Sequence, residues 1–317
     1  MHSAPPEYMD AMTSGVAAME AADMKANKAN SVDGQGTRNR LSLPEFGRLL
    51  LETEDLDPVY VVLHRAELST EQLNRFLLAY WFFYHTGVSA YLSQFEGRKF
   101  FASAFALALN GRGTPRGSER RHFRGLACLK SLNFFFQTYE GPNEAMDHLI
   151  TECRRKNVTD VMSFVKQWPL FGPWVAFKIG DMLERVGGIE ITFRKEDLQL
   201  YKAPTEGAKL WCEKEGLNYK ELGISGVITL LEKQFEGYKA PPTYDRPVGV
   251  QELESVLCKW HSHLNGHYPP GKDSHEIAQH LVGWGELAER LRQHVPQVGT
   301  DDEVPGNHQF ARGAIQS

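Results

Sequence analysis

Residues 161–185, VMSFVKQWPLFGPWVAFKIGDMLER, place two apolar-periodic segments on either side of a tight Leu-Phe-Gly-Pro-Trp turn. No other stretch constrains the fold as strongly, because two amphipathic helices joined by so short a turn must pack against each other as a hairpin. Gly172 is expected to carry the chain through a backbone conformation that a Cβ would penalise. Pro173 then opens the second helix with its φ already set, at a position where a missing N–H costs nothing. The free amides of a helix that starts this way form a seat for an anion, and Phe171, Gly172, Pro173 and Trp174 are the expected DNA-contacting residues.

Helical periodicity governs most of the remaining chain. Ser69-Thr70-Glu71-Gln72 reads as a capped start of a long helix through Trp81 and Tyr84. Further helices are expected from about 94–98 to 110, 118 to 139, 143 to 156, 159 to 168 and 174 to 186. Ile189–Phe193 is the best strand candidate. Residues 1–40 and 296–317 are poor in branched apolar side chains and are expected to be flexible, leaving 41–295 as one helical catalytic domain. The expected fold is therefore mostly α, a helix-hairpin-helix body with little strand.

Charge is informative only locally. With 35 basic and 40 acidic residues the net charge is −5, so any contact with nucleic acid must come from a basic patch. Residues 111–125, GRGTPRGSERRHFRG, supply one: Arg112, Arg116, Arg120, Arg121 and Arg124 accompany a single acid, Glu119. Guanidinium forks suit phosphate oxygens, and the glycines allow close approach of backbone amides. A solvated basic helix face is the alternative.

On the second hairpin helix, Trp174, Lys178, Asp181 and Arg185 follow a 4-3-4 spacing beside an apolar stripe of Val175, Ile179, Met182 and Val186. A Lys and an Asp three apart read first as a surface pair, and beside a DNA-binding hairpin as a base and its electrostatic partner. Residues 258–273, CKWHSHLNGHYPPGKD, match no structural zinc spacing, so no metal is assigned; a polar loop over a pocket fits better. His85 and Tyr84 read as satisfied interior groups. The four scattered cysteines form no Cys-x-x-Cys pair, and no apolar run is long enough for a membrane.

The segments AYWFFYHTG, PRGSERRHFRG, LFGPWVAFKIGDMLERV and HSHLNGHYPPGKD, in this order, resemble the amino acid:DNA transferases of phages, within the alpha-glutamyl/putrescinyl thymine pyrophosphorylase superfamily. The hairpin itself resembles that of the helix-hairpin-helix DNA glycosylases. The resemblance spans roughly residues 45–290. It implies a glycosylase-like helical fold and a role in thymine hypermodification of phage DNA in the cytoplasm of the infected bacterium. The implied substrates are double-stranded DNA carrying 5-hydroxymethyluracil, pyrophosphorylated by a separate 5-hydroxymethyluracil DNA kinase, and a free amino acid whose amine displaces the pyrophosphate.

Under that implication Arg116, Arg120, Arg121 and Arg124, helped by His122, are expected to hold the pyrophosphate. Asp181 is expected to accept a proton, with Lys178 beside it. His261, His263, Lys272 and Asp273 are expected to hold the amino acid. No cofactor is required, and a divalent cation on the pyrophosphate is compatible. A DNA glycosylase and a non-catalytic DNA-binding module remain alternatives. The glycosylase reading is disfavoured because Trp174 or Val175 stands where such enzymes carry a catalytic lysine. Their catalytic aspartate also has no equivalent before Asp197.

Overall fold

The computed structural model describes residues 40–109, 128–200 and 202–298. Fourteen α-helices lie within them, with a single pair of two-residue strands. The first seven are α1 (Leu43–Glu52), α2 (Pro58–Arg65), α3 (Thr70–Phe83), α4 (Thr86–Leu92), α5 (Gly97–Leu109), α6 (Cys128–Thr138) and α7 (Pro142–Cys153). The second half contains α8 (Val158–Val165), α9 (Pro173–Arg185), α10 (Lys202–Lys214), α11 (Tyr219–Gln234), α12 (Val250–Leu264), α13 (Lys272–His280) and α14 (Glu286–Arg292). The mostly α expectation is met.

Local chemistry sets the helix starts. The Ser69 hydroxyl accepts from the Gln72 amide at 3.3 Å and caps α3. Ser42 and Glu45 cap α1 reciprocally, and Asn157 accepts from the Thr159 and Asp160 amides at the start of α8. Pro142 and Pro173 occupy the first turns of α7 and α9. The expected strand exists as Ile191–Thr192 (β2), which pairs in parallel with Lys156–Asn157 (β1), Lys156 facing Ile191 and Asn157 facing Thr192.

Helix α3 is buried without interruption from Asn74 to Phe83, the pattern of a helix enclosed by neighbours rather than one with a single wet face. Its Trp81 donates to Met182 of α9, and Phe82 meets Phe135 of α6 edge-on. The aromatic core continues through Trp168 and Phe171, so the hairpin is wedged into the body rather than appended to it. The seven-residue helix α4 follows directly on α3 through a left-handed turn at Tyr84 (φ 51°), a break hidden in the sequence by the unbroken aromatic run.

Candidate active site

The hairpin forms between α8 and α9, yet its turn differs from the sequence expectation. Gly172 has φ −77° and ψ 172°, an extended conformation open to any residue, and a Cβ built there would meet nothing within 4 Å. Leu170 takes the left-handed conformation instead, at φ 68°, and stands exposed at the apex. Phe171 points inward against Trp168 and Phe135, so its side chain belongs to the core rather than to an outer binding face. Pro173 is exposed, and half-buried Trp174 tilts over Tyr84 with ring centroids 5.3 Å apart.

The polar stripe of α9 is not a surface stripe. Lys178 is 3% exposed, Asp181 0% and Arg185 5%, because α2 and α12 close over it. Buried charges persist only when matched, and here the match is dense. The Lys178 Nζ lies 3.2 Å from Asp181, 3.3 Å from Glu254 and 3.7 Å from Asp57, and donates to the Ser255 hydroxyl at 3.1 Å. Arg185 donates to Asp57 at 2.7 Å, pairs with Glu252 at 3.3 Å and lies over the Tyr60 ring. The Tyr60 hydroxyl donates to Asp181 Oδ2 at 2.7 Å. Although burial opposes its charge, Lys178 is held protonated well above the usual lysine range by Asp57, Glu254 and Asp181. The same cations hold Asp57 below the usual carboxylate range against its own desolvation.

Beside this network lies a pocket of about 520 Å³, open solvent at its mouth included. Lys178 and Asp57 form part of its wall, with Tyr60, Tyr80 and Tyr84 as aromatic faces. Thr86, Asp273, Glu276 and His280 supply further polar lining. Asp181 does not line it: Tyr60 and Lys178 occupy its Oδ2 and separate it from the cavity. The expected Lys178–Asp181 pair therefore exists as a buried pair in which only the lysine reaches the pocket. Asp197 lies elsewhere, accepting from the Arg194 amide and guanidinium.

Of the four expected amino-acid ligands, only Asp273 lines the pocket. Both ring nitrogens of His263 are occupied, one by the Tyr268 carbonyl at 2.9 Å and the other by the Leu41 amide at 3.4 Å, and the ring stacks on Phe46. Lys272 donates to the His267 carbonyl, and half-buried His261 stays on α12 away from the cavity lining. Between the two helices that carry these residues lies an anchor that the sequence reading overlooked, Asp55. Its buried carboxylate accepts from the Gly271 and Ser274 amides, the Ser274 hydroxyl and Tyr268, and so ties the 265–271 loop back onto the body. Desolvation raises the Asp55 pKa, opposed by Lys259, which in turn donates to Asp273 at 2.5 Å.

Sequence reasoning also missed Asp57, Glu254, Glu276 and His280. The last two were visible as a Glu-x-x-x-His spacing on one helix face. Asp57 and Glu254 carry no such signal. The expected pyrophosphate ligands Arg116, Arg120, Arg121 and Arg124, and His122 with them, lie outside the described residues. Among the described residues, no group of three His, Cys, Asp or Glu side chains is disposed to hold a metal, and no helix is long and apolar enough to cross a membrane.

Comparison with known proteins agrees with the resemblance seen in the motifs. A family model described as amino acid:DNA transferase matches residues 48–268. The chain is 38% identical over 287 residues to a glycinyltransferase of Pseudomonas phage PaMx11, covering 82% of this chain and 97% of that protein. It is 29% identical over 262 residues to a putrescinyltransferase of Delftia phage PhiW-14, covering 80% of this chain and 82% of the relative. The match spans most of the folded body and includes the hairpin, the buried charge network and much of the pocket wall, and the chain belongs to the amino acid:DNA transferase family.

Proposed function

We propose that this transferase replaces the pyrophosphate of 5-pyrophosphorylmethyl-uracil in double-stranded DNA with the amine of an amino acid. The step would belong to thymine hypermodification in the cytoplasm of the phage-infected bacterium, downstream of a 5-hydroxymethyluracil DNA kinase. The observation that carries the reading is the continuity of hairpin and pocket. Trp174 at the start of α9 packs on Tyr84, and Tyr84 and Lys178 both face the cavity. DNA held at the hairpin would thus have an aromatic-walled, charged pocket beside its modified base.

The chemistry needs three services: stabilisation of departing pyrophosphate, an unprotonated amine in line with the methylene carbon, and exclusion of water. The amine lone pair forms the C–N bond while the C–O bond to pyrophosphate breaks and the leaving group keeps its electron pair. Arg116, Arg120, Arg121, Arg124 and His122 are assigned to the leaving group, with Lys178 as a fixed positive charge in the pocket wall. Asp181 acts through Lys178 and Tyr60 as a positioning residue. Tyr60, Tyr80 and Tyr84 line the pocket beside which a base turned out of the duplex would lie. A divalent cation on the pyrophosphate is compatible with this scheme, but no step depends on it. The name of the 38%-identical relative makes glycine the first donor to test, and that of the other makes putrescine the second.

The test is incubation with duplex DNA containing 5-pyrophosphorylmethyl-uracil and a pool of amines, followed by digestion to nucleosides and mass spectrometry. A nucleoside lighter than the pyrophosphorylated substrate is expected, with the mass of thymidine joined through its methyl carbon to the nitrogen of one amine. Intact substrate with every amine would refute the reading, and release of free base would identify a glycosylase.

A further inference from the structure

We propose that His280 accepts the proton of the incoming ammonium donor, with Glu276 and His85 as the residues that position and tune it. This rests on the transfer reaction proposed above. A free amine donor is mostly ammonium at neutral pH, so one proton must leave before its lone pair can attack.

Four residues of α13, Asp273, Glu276, Ile277 and His280, form one face of the helix and all line the pocket. Glu276 Oε1 lies 3.5 Å from His280 Nε2, one turn earlier, placed to stabilise the imidazolium once it forms. The His85 ring stacks on His280 with centroids 3.9 Å apart and planes inclined at 24°. His85 Nδ1 accepts the Val88 amide, so the ring is held as the N-cap of α4.

The approach of the two helices is also fixed. A Cβ at Gly87 would fall 2.0 Å from the His280 carbonyl oxygen, leaving glycine as the residue that lets α4 reach the end of α13. Next to it, the Thr86 hydroxyl is buried in the pocket wall with no hydrogen-bond partner among the described residues, which leaves it available to a polar group of a bound donor.

Around His280 the pocket presents Asp57, the N-cap of α2, Tyr60 from that helix, Tyr80 from α3, Tyr84, the C-cap of α3, and Lys178 from α9. Its own helix adds Asp273 and Glu276; Asp57 and Asp273 are already paired with Arg185 and Lys259, which lie behind the wall. Burial lowers the His280 pKa while Glu276 raises it, which leaves a neutral imidazole at neutral pH; burial and His280 push His85 down to about 3, so His85 stays uncharged. The balance is simple. R–NH3+ gives one proton to His280, R–NH2 attacks the methylene carbon, pyrophosphate leaves with the C–O electron pair, and the product keeps both remaining N–H protons as a secondary ammonium.

The experiment compares wild type, His280→Gln and Glu276→Gln in single-turnover transfer from glycine to the pyrophosphorylated DNA across pH. For His280→Gln the rate at neutral pH is expected to fall by about 10²–10⁴. The deficit should shrink as pH rises and the donor deprotonates in solution, and added imidazole should restore part of it. For Glu276→Gln the acidic limb of the profile should move to lower pH, because a carboxylate that favours imidazolium has gone. Rates near wild type, or a loss that is independent of pH and insensitive to imidazole, would overturn the assignment. NMR of the His280 ring provides a readout independent of turnover. A shift on adding glycine or putrescine keeps the pocket assignment even if wild type transfers nothing, which would refute the reaction alone, whereas no shift overturns the assignment itself.

Discussion

Replacing Lys178 with Met removes the cation shared by Asp57, Asp181 and Glu254 while keeping most of the side-chain volume. These carboxylates are essentially enclosed, so water cannot take over the lost charge, and breaking a buried pair in this way costs about 3–5 kcal/mol. Domains are stable by roughly 5–15 kcal/mol, so the variant should still fold, with a melting temperature lower by about 6–20 °C. The pH dependence distinguishes charge loss from packing loss. In wild type, Asp57 and Glu252 are held below their ordinary pKa values, so their contribution is present above the unfolded carboxylate range and is lost as acid protonates them. In Lys178→Met the orphaned carboxylates should have raised pKa values. The folded state then binds more protons than the unfolded state as pH falls from about 8 to 5, and the deficit should narrow. Urea titrations of both proteins at several pH values measure it. A deficit constant across that range would refute the view that Lys178 acts by compensating buried charge.

Gly172→Ala should leave the melting temperature unchanged, since the backbone is extended and the added methyl meets nothing; if this glycine matters, duplex binding alone should weaken in a salt-titrated binding assay. Tyr60→Phe strips a hydrogen bond from buried Asp181 and should cost about 1–3 kcal/mol in denaturant unfolding, while Tyr244→Phe at the exposed edge should cost much less. Arg121→Ala should lower single-turnover transfer more than DNA affinity; equal losses would reassign it to the DNA backbone.

Much of the fold was legible in the chain. Alternating turns of apolar residues gave the hairpin helices because burial on one side imposes a 3.6-residue period whatever the neighbours are. Ser69 and Pro173 marked helix starts because their effects operate within one turn. The ordered motifs likewise carried the family, which depends on residue identity rather than on contacts. Gly172 misled because sequence shows that a turn must occur but not which residue bears its positive φ; the chain places that at Leu170.

What the sequence determined by itself was thus the helical class, the hairpin and the kind of chemistry its motifs serve. The tertiary structure decided which polar groups meet. Asp57, Lys178 and Glu254 come from three distant helices or their caps, and periodicity says which residues share a face, never which other face will cover it. For the same reason His263 became a packing residue while His280 came to the pocket. The Tyr268 carbonyl and the Leu41 amide take up both ring nitrogens of His263, and the glycine at 87 lets α4 bring His85 up to the end of α13.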